Sequence, residues 1–217
     1  MTTLYLLRHG EIEWPEPASF IGHSDAPLSA RGRRQAQAWR HELRSVAFAG
    51  LWSSDLRRAA ETAAIVFADR AESVRSCSGL REIGLGEWDG LPRRRVRERH
   101  PGLWLARGQD LAGFRPPGGE SFSDLQGRVL ACVQSIAAEA AGPVCLVTHA
   151  GVIRVLICHG LQVPLANLFR IRLDYGSLSM AVHAPDRFEL CALNLKPPTC
   201  GGSAREPMGG PHDPAQV

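Results

Sequence analysis

Leu4-Tyr5-Leu6-Leu7-Arg8-His9-Gly10 and Val144-Cys145-Leu146-Val147-Thr148-His149-Ala150-Gly151 are two short apolar runs, each ending in histidine with glycine close behind. Runs of this length read as buried strands, and the chain between them is helical in period. A helix is predicted from about Ser29 to Arg44, a short strand near Leu51 and a helix from Leu56 to Ala68. A long helix follows from about Ser121 to Ala141, with Asp124 at capping-box spacing and Gly142-Pro143 as its stop. After the second run come a helix from about Val152 and two late strands near Ser179 to His183 and Phe188 to Leu193. This βαβ rhythm predicts an α/β fold: a doubly wound, mostly parallel central sheet with helices on both faces.

The 217 residues, 44% hydrophobic and 22% charged, are enough to bury one substantial core over residues 1–195. From Lys196 onward the Pro, Gly and Ser content without periodicity predicts a disordered C-terminal tail, 196–217. A formal charge of +3 suits anionic ligands but not a dedicated nucleic-acid binder, so no nucleic-acid partner is expected. Arg8 and His9 end the run from Thr3 to Leu7 before it reaches the length of a signal-peptide core, and no run is long enough to cross a membrane. A cytoplasmic location without membrane association is therefore expected, and the oligomeric state, monomer or homodimer, is not set. The six cysteines (Cys77, Cys132, Cys145, Cys158, Cys191, Cys200) show no paired C-x-x-C spacing and are read as small hydrophobes or inert thiols.

Ligands of open parallel sheets bind beyond the carboxyl ends of the strands, where His9 and His149 would emerge together. A single histidine after a strand is more often structural, but the repeated pattern points to a shared site. The nearby glycines allow backbone N–H groups to approach an anion at a strand-to-helix turn, which favours phosphate. A third strand ending, Leu51-Trp52-Ser53-Ser54-Asp55-Leu56-Arg57-Arg58, places serines at a helix cap and Arg58 about one turn inside. A guanidinium there can fork onto phosphate oxygens. The stretch Leu80-Arg81-Glu82-Ile83-Gly84-Leu85-Gly86-Glu87-Trp88-Asp89-Gly90 offers carboxylates among apolar residues and glycines, a setting suited to a general acid. Glu82 is the candidate, and on local sequence Glu87 and Asp89 compete with it.

Taken in order, Arg8-His9-Gly10-Glu11, Pro27-Leu28-Ser29 with Gly32 and Gln35-Ala36, Ser54 to Thr62, Glu82 to Gly90, Gly118-Gly119-Glu120-Ser121 and His149-Ala150-Gly151 resemble the histidine phosphatase (phosphoglycerate mutase-like) superfamily over about residues 4 to 195. The resemblance implies that His9 accepts the phosphoryl group, that Arg8, Arg58 and His149 clamp it, and that Glu82 is the general acid. It also implies that Gly22 and Ala150 contact the substrate, and that no metal and no cofactor take part. Such a nucleophile needs one ring nitrogen unprotonated and the other fixed by a hydrogen bond, ordinarily to a backbone carbonyl. Two departures stand out: Ile12 and Pro15 occupy positions where the family commonly carries Ser or Thr and Asn, so two polar contacts are missing and Pro15 reshapes the loop that follows.

The segment Gly84 to Gly90 resembles the phosphatase pattern rather than the longer insertion of mutases, so hydrolysis of a small phosphorylated metabolite is expected. Chain length, short loops and the Phe169 to Tyr175 region are similar to α-ribazole phosphatases, which implies α-ribazole 5′-phosphate of cobalamin synthesis as substrate. The run Arg93, Arg94, Arg95, Arg97, Arg99 and His100 reads as a solvated helix face, with attraction of an anionic substrate as the functional alternative. Trp88 and Trp104 shape the pocket wall or simply pack. The competing readings are a mutase, which would transfer phosphate to a second substrate, and a non-catalytic phospholigand-binding module. Neither G-x-G-x-x-G after the first strand nor G-x-x-x-x-G-K-[ST] occurs, which removes Rossmann and P-loop readings.

Overall fold

Alternation along the first strand, β1 (Thr2–Arg8), feeds two cores at once: Leu4 and Leu6 pack into one, Leu7 into the other. A strand buried on both faces needs helices on both faces, and the chain supplies them. The structure, a computed structural model, describes residues 1–14, 16, 18–184 and 187–197. In chain order the remaining elements are α1 (Ala30–Leu43), β2 (Gly50–Ser53), α2 (Arg57–Val66), β3 (Arg75–Ser76), α3 (Arg93–Arg99), α4 (Pro101–Gln109), α5 (Phe122–Glu139), β4 (Val144–Thr148), α6 (Ala150–Gly160), β5 (Leu178–Ala184) and β6 (Arg187–Leu195).

The sheet runs β3-β2-β4-β1-β5-β6. The first four strands are parallel, while β5 and β6 are antiparallel, so the sheet is mixed with a parallel majority. Helices α1 and α2 cover the face carrying Leu7, Leu51 and Val147; α5 and α6 cover the face carrying Leu4, Leu6, Val144 and Leu146. The helix starts follow side-chain chemistry: Ser29 accepts from Gly32 N–H ahead of α1, and Ser121 forms a full capping box with Asp124 ahead of α5.

Three expectations change. Helix α6 begins at Ala150, not near Val152, which makes His149 its N-cap residue. Ser54 is not the cap of α2; Leu56 holds that position without a side-chain bond, and Arg58 sits within the first turn. The middle of the chain contains α3, on which the arginine run read as a helix face lies, and α4, which was not predicted. Cys77 and Cys132, far apart in sequence, bring their sulfurs to 3.0 Å, a contact invisible to spacing. Pro15, Cys200 and nearly all of the expected tail lie outside the described residues. Among the described residues no helix is long and apolar enough to cross a membrane.

Candidate active site

Parallel register aligns the carboxyl ends of β1, β4 and β2: Arg8 sits opposite Thr148, and Ser53 opposite Val147. The next backbone bonds continue this alignment, with His9 N–H donating to Thr148 O at 2.9 Å and Ser54 N–H to Val147 O at 2.9 Å. The side chains of His9, Ser54 and His149 are thereby delivered to one place. The His9 and His149 rings lie 5.1 Å apart.

Both ring nitrogens of His9 are constrained. Nδ1 is 2.8 Å from Gly10 O, which can only accept, so Nδ1 carries the proton. Nε2 is 3.3 Å from Arg58 Nε, which can only donate, so Nε2 keeps its lone pair. The residue is 4% exposed. Burial first, then the positive charges of Arg58 and Arg8, hold its pKa well below the ordinary histidine value; the bond to Gly10 works the other way. His9 is therefore neutral at pH 7 with an unprotonated nitrogen facing the site.

His149 is fixed from its other end. Ser54 Oγ accepts from Leu56 N–H at 3.3 Å and lies 2.9 Å from His149 Nε2. Nδ1 of His149 is buried with no partner among the described residues. Burial, then Arg58, His9 and Arg8, keep His149 neutral too. The Nε of Arg8 is likewise buried without a partner. A buried polar atom left without a partner costs about 1–3 kcal/mol, so each of these two nitrogens favours an incoming ligand.

Arg58, 1% exposed, donates from Nη2 to Gly22 O at 2.6 Å and from Nη1 to Ser24 O at 3.0 Å. These bonds aim its Nε at His9. Arg8 donates to Leu173 O at 2.6 Å and lies over the Tyr175 ring, 3.9 Å from its centroid. Tyr175 in turn faces His9 at 5.5 Å. The loop carrying Gly22 and Ser24 is held by Asp89, whose Oδ1 accepts from Gly22 N–H at 2.8 Å and Ser24 Oγ at 2.9 Å, while Oδ2 accepts from His23 N–H at 2.7 Å. Gly22 has no room for a side chain: a Cβ there would lie 2.6 Å from Ile83 O.

The three competing carboxylates separate cleanly. Asp89 is spent on the loop, and Glu87 is exposed. Glu82 lines the cavity, with Oε1 accepting from Ile83 N–H at 2.9 Å and Oε2 from Gly151 N–H in the first turn of α6 at 3.1 Å. A Cβ at Gly151 would come within 2.1 Å of Glu82 Oε1, so a side chain there would displace the carboxylate from this position. Ala150, 7% exposed, lines the same cavity, whereas Ile12 does not and instead bridges to Leu28.

A cavity of about 160 Å³ lies against Arg8, Glu82, Ala150 and Tyr175 and extends outward between Phe20, Phe114, Phe122 and Phe169. Trp88, 1% exposed, packs behind this wall against Phe20 and Phe114. Of the arginine run, Arg93 reaches the cavity; Arg94, Arg95, Arg97 and Arg99 are exposed, with Arg94 paired to Glu98. The cavity holds two cations that the sequence did not single out, Arg107 on α4 and Arg154 on α6. Tyr175 was likewise assigned no role and Ser54 only that of a helix cap, although both lie in quoted stretches. The missing signal for Arg107 and Arg154 is tertiary, because each is one arginine on an ordinary helical pattern.

Comparison with known proteins bears on this geometry. Residues 4–196 match the family described as Histidine phosphatase superfamily (branch 1). The chain is 38% identical over 173 residues to a glucosyl-3-phosphoglycerate phosphatase of Mycolicibacterium vanbaalenii, covering 76% of each chain. It is 30% identical over 177 residues to the adenosylcobalamin/alpha-ribazole phosphatase of Escherichia coli K12, covering 81% of this chain and 87% of the relative. Among solved structures, mycobacterial glucosyl-3-phosphoglycerate phosphatase complexed with VO3 superposes with a TM-score of 0.78 at 32% identity, covering 89% of this chain and 99% of that one.

Proposed function

Because the chain belongs to the histidine phosphatase superfamily and is a phosphatase by its relatives, we propose that it hydrolyses the phosphate monoester of a small metabolite through a phosphohistidine on His9, without a metal or other cofactor. The observation that carries this reading is the state of His9: buried, neutral, its Nδ1–H on Gly10 O and its Nε2 lone pair turned to Arg58 in the site.

In the first step Nε2 attacks phosphorus, the P–O bond to the alcohol breaks, and Glu82, entering protonated, gives its proton to the leaving oxygen. Arg8, Arg58 and His149 hold the non-bridging oxygens and neutralise their charge, the positioning and electrostatic role that dominates phosphoryl transfer. In the second step Glu82, now a carboxylate, takes a proton from water while the water oxygen attacks phosphorus and the P–N bond breaks. Free phosphate leaves and His9 regains its lone pair. The N–H of Gly151 keeps Glu82 oriented throughout.

Hydrolysis of 4-nitrophenyl phosphate in excess EDTA, wild type against His9→Ala at matched circular dichroism, tests the reading. Activity that survives EDTA and disappears in His9→Ala supports it, as does an acid-labile phosphoryl adduct on His9 after rapid quench; activity retained by His9→Ala overturns it. A substrate panel then includes α-ribazole 5′-phosphate, for which the Escherichia coli relative is named, and glucosyl-3-phosphoglycerate, for which the mycobacterial relatives are named. Addition of a bisphosphate separates hydrolysis from mutase transfer, since only a mutase is stimulated by it.

A further inference from the structure

Of the cysteines among the described residues, Cys145 and Cys158 are buried and Cys191 is exposed, whereas Cys77 and Cys132 are both half-buried with their sulfurs 3.0 Å apart. Sulfur is larger than carbon, yet this contact is closer than the about 3.5–4.0 Å of an ordinary carbon pair. Both backbones are held: Cys77 N–H donates to Ser53 O at 2.8 Å, Cys77 O accepts from Leu80 N–H at 3.1 Å, and Cys132 lies within α5. Gly79 keeps the space around the pair open, since a Cβ there would lie 2.8 Å from Cys132 Sγ and 3.4 Å from Cys77 Sγ. Closing a disulfide of about 2.05 Å therefore asks for a sulfur movement of about 1 Å, within reach of side-chain rotation. Ser76, Ser78 and Ala131, the chain neighbours of the two cysteines, are exposed, so a small solute can approach. Cys77 opens the segment that runs through the turn Ser78–Leu80 to Glu82, and α5 already grips that segment. Arg128, one turn before Cys132, donates to Gly79 O at 3.0 Å, Arg81 O at 3.1 Å and Glu82 O at 3.3 Å.

We propose that Cys77 and Cys132 are an oxidation site, at which a hydroperoxide forms a disulfide that staples the segment leading to Glu82 onto α5. The Cys77 thiolate attacks the peroxide, the O–O bond breaks, and hydroxide leaves to meet the proton that Cys77 gave up. The Cys132 sulfur then attacks the sulfur of the resulting sulfenic acid, the S–O bond breaks, and the departing oxygen takes the Cys132 proton as water. With hydrogen peroxide the sum is one disulfide and two waters, the peroxide gaining the two electrons that the thiols lose. Burial, then the neighbouring Cys77 thiol, push the Cys132 thiol up to about 12 against the pull of Arg128, which suits Cys132 to the second step rather than the first. Neither sulfur lines the cavity, so the bridge fastens the support of Glu82 without entering the site.

The test treats the reduced full-length chain with a small excess of hydrogen peroxide. A disulfide joining tryptic peptides 76–81 and 129–154 should appear and be released by dithiothreitol. Peptide 129–154 also holds Cys145, so the link must vanish in Cys132→Ser; if that variant fails to fold, fragmentation of the joined wild-type peptides locates the bridge. Closing a loop as long as residues 77–132 should raise Tm by at least about 4 °C, a rise absent from Cys77→Ser treated in the same way. A wild type that keeps Cys77 and Cys132 as thiols while the exposed Cys191 is oxidised overturns the proposal. So does oxidation of Cys77 to a sulfinic acid without a bridge, or a bridge that leaves Tm unchanged. Neither readout uses turnover, so a chain inactive on every phosphate ester removes the phosphatase reading and leaves this inference standing.

Discussion

Asp89→Asn alters a residue that touches no reacting atom, yet its effect should reach His9 through three defined contacts. The carboxylate accepts from Gly22 N–H, Ser24 O–H and His23 N–H. An asparagine has one acceptor oxygen, so its amide nitrogen must face either His23 N–H or the Gly22 and Ser24 donors. At least one charge-assisted bond, worth about 1.5–3 kcal/mol, is lost, and the bonds that survive weaken because the acceptor is neutral. A loss of about 2–3 kcal/mol in a chain of this size lowers Tm by about 4–12 °C. The loop also supplies the carbonyls that hold Arg58, Gly22 O at 2.6 Å and Ser24 O at 3.0 Å. Once they shift, the Nε of Arg58 is no longer aimed at His9, and misplacement on the scale of an ångström costs about 100-fold in rate. Thermal unfolding by circular dichroism and kcat/KM for 4-nitrophenyl phosphate measure the two effects together. A variant within a degree of the wild-type Tm and with unchanged kcat/KM would refute the argument that Asp89 positions Arg58 through the loop.

Gly151→Ala drives a methyl group into Glu82 Oε1 and should cut kcat about 10- to 100-fold; full activity would show that Glu82 has another resting place. Glu82→Gln should lower kcat by about 10²–10⁴ for an alkyl phosphate, whose leaving group needs a proton, and much less for 4-nitrophenyl phosphate, whose does not; equal losses on both would remove Glu82 as the acid. Stability should also depend on pH through the two buried histidines. Their folded pKa values lie below the unfolded value of 6.5, so the unfolded chain binds more protons below that pH. Their contribution is therefore fully present above about pH 6.5 and is lost as pH falls, with a slope of at most about 1.4 kcal/mol per pH unit for each. Urea unfolding at pH 7.5 and 5.5 checks this, and His149→Gln should shallow the dependence; a wild-type midpoint insensitive to pH across that window would contradict the burial argument.

The repeated run ending in His9 and His149 announced the parallel sheet and the edge at which a site must form, because strand period and the topology of βαβ units are local properties of sequence. Ser121 with Asp124 announced a helix start for the same reason. Glu82, Glu87 and Asp89 show where local reading ends. All three sit within eight residues of sequence with similar neighbours, and what separates them is which distant backbone groups each meets: Gly151 for Glu82, Gly22 and His23 for Asp89, solvent for Glu87.

The arginines make the same point in the opposite direction. The conspicuous run from Arg93 to Arg99 carries mostly solvated charge, whereas Arg107 and Arg154, unremarkable in sequence, line the cavity. A helix turns each side chain by about 100° from the last, so a cluster in sequence is dispersed in direction. Convergence of charges from α4 and α6 onto Phe169 is a product of packing. By itself the sequence determined five of the six strands, all but β3, and the starts of α1 and α5, because these follow from residue type and period over a few positions. Only the tertiary structure decided the tautomer of His9, the separate hydrogen-bond partners of Glu82 and Asp89, and the charge facing the outer cavity. Each of those depends on a hydrogen-bond partner or a ring brought from another element, and no period in the chain encodes that distance.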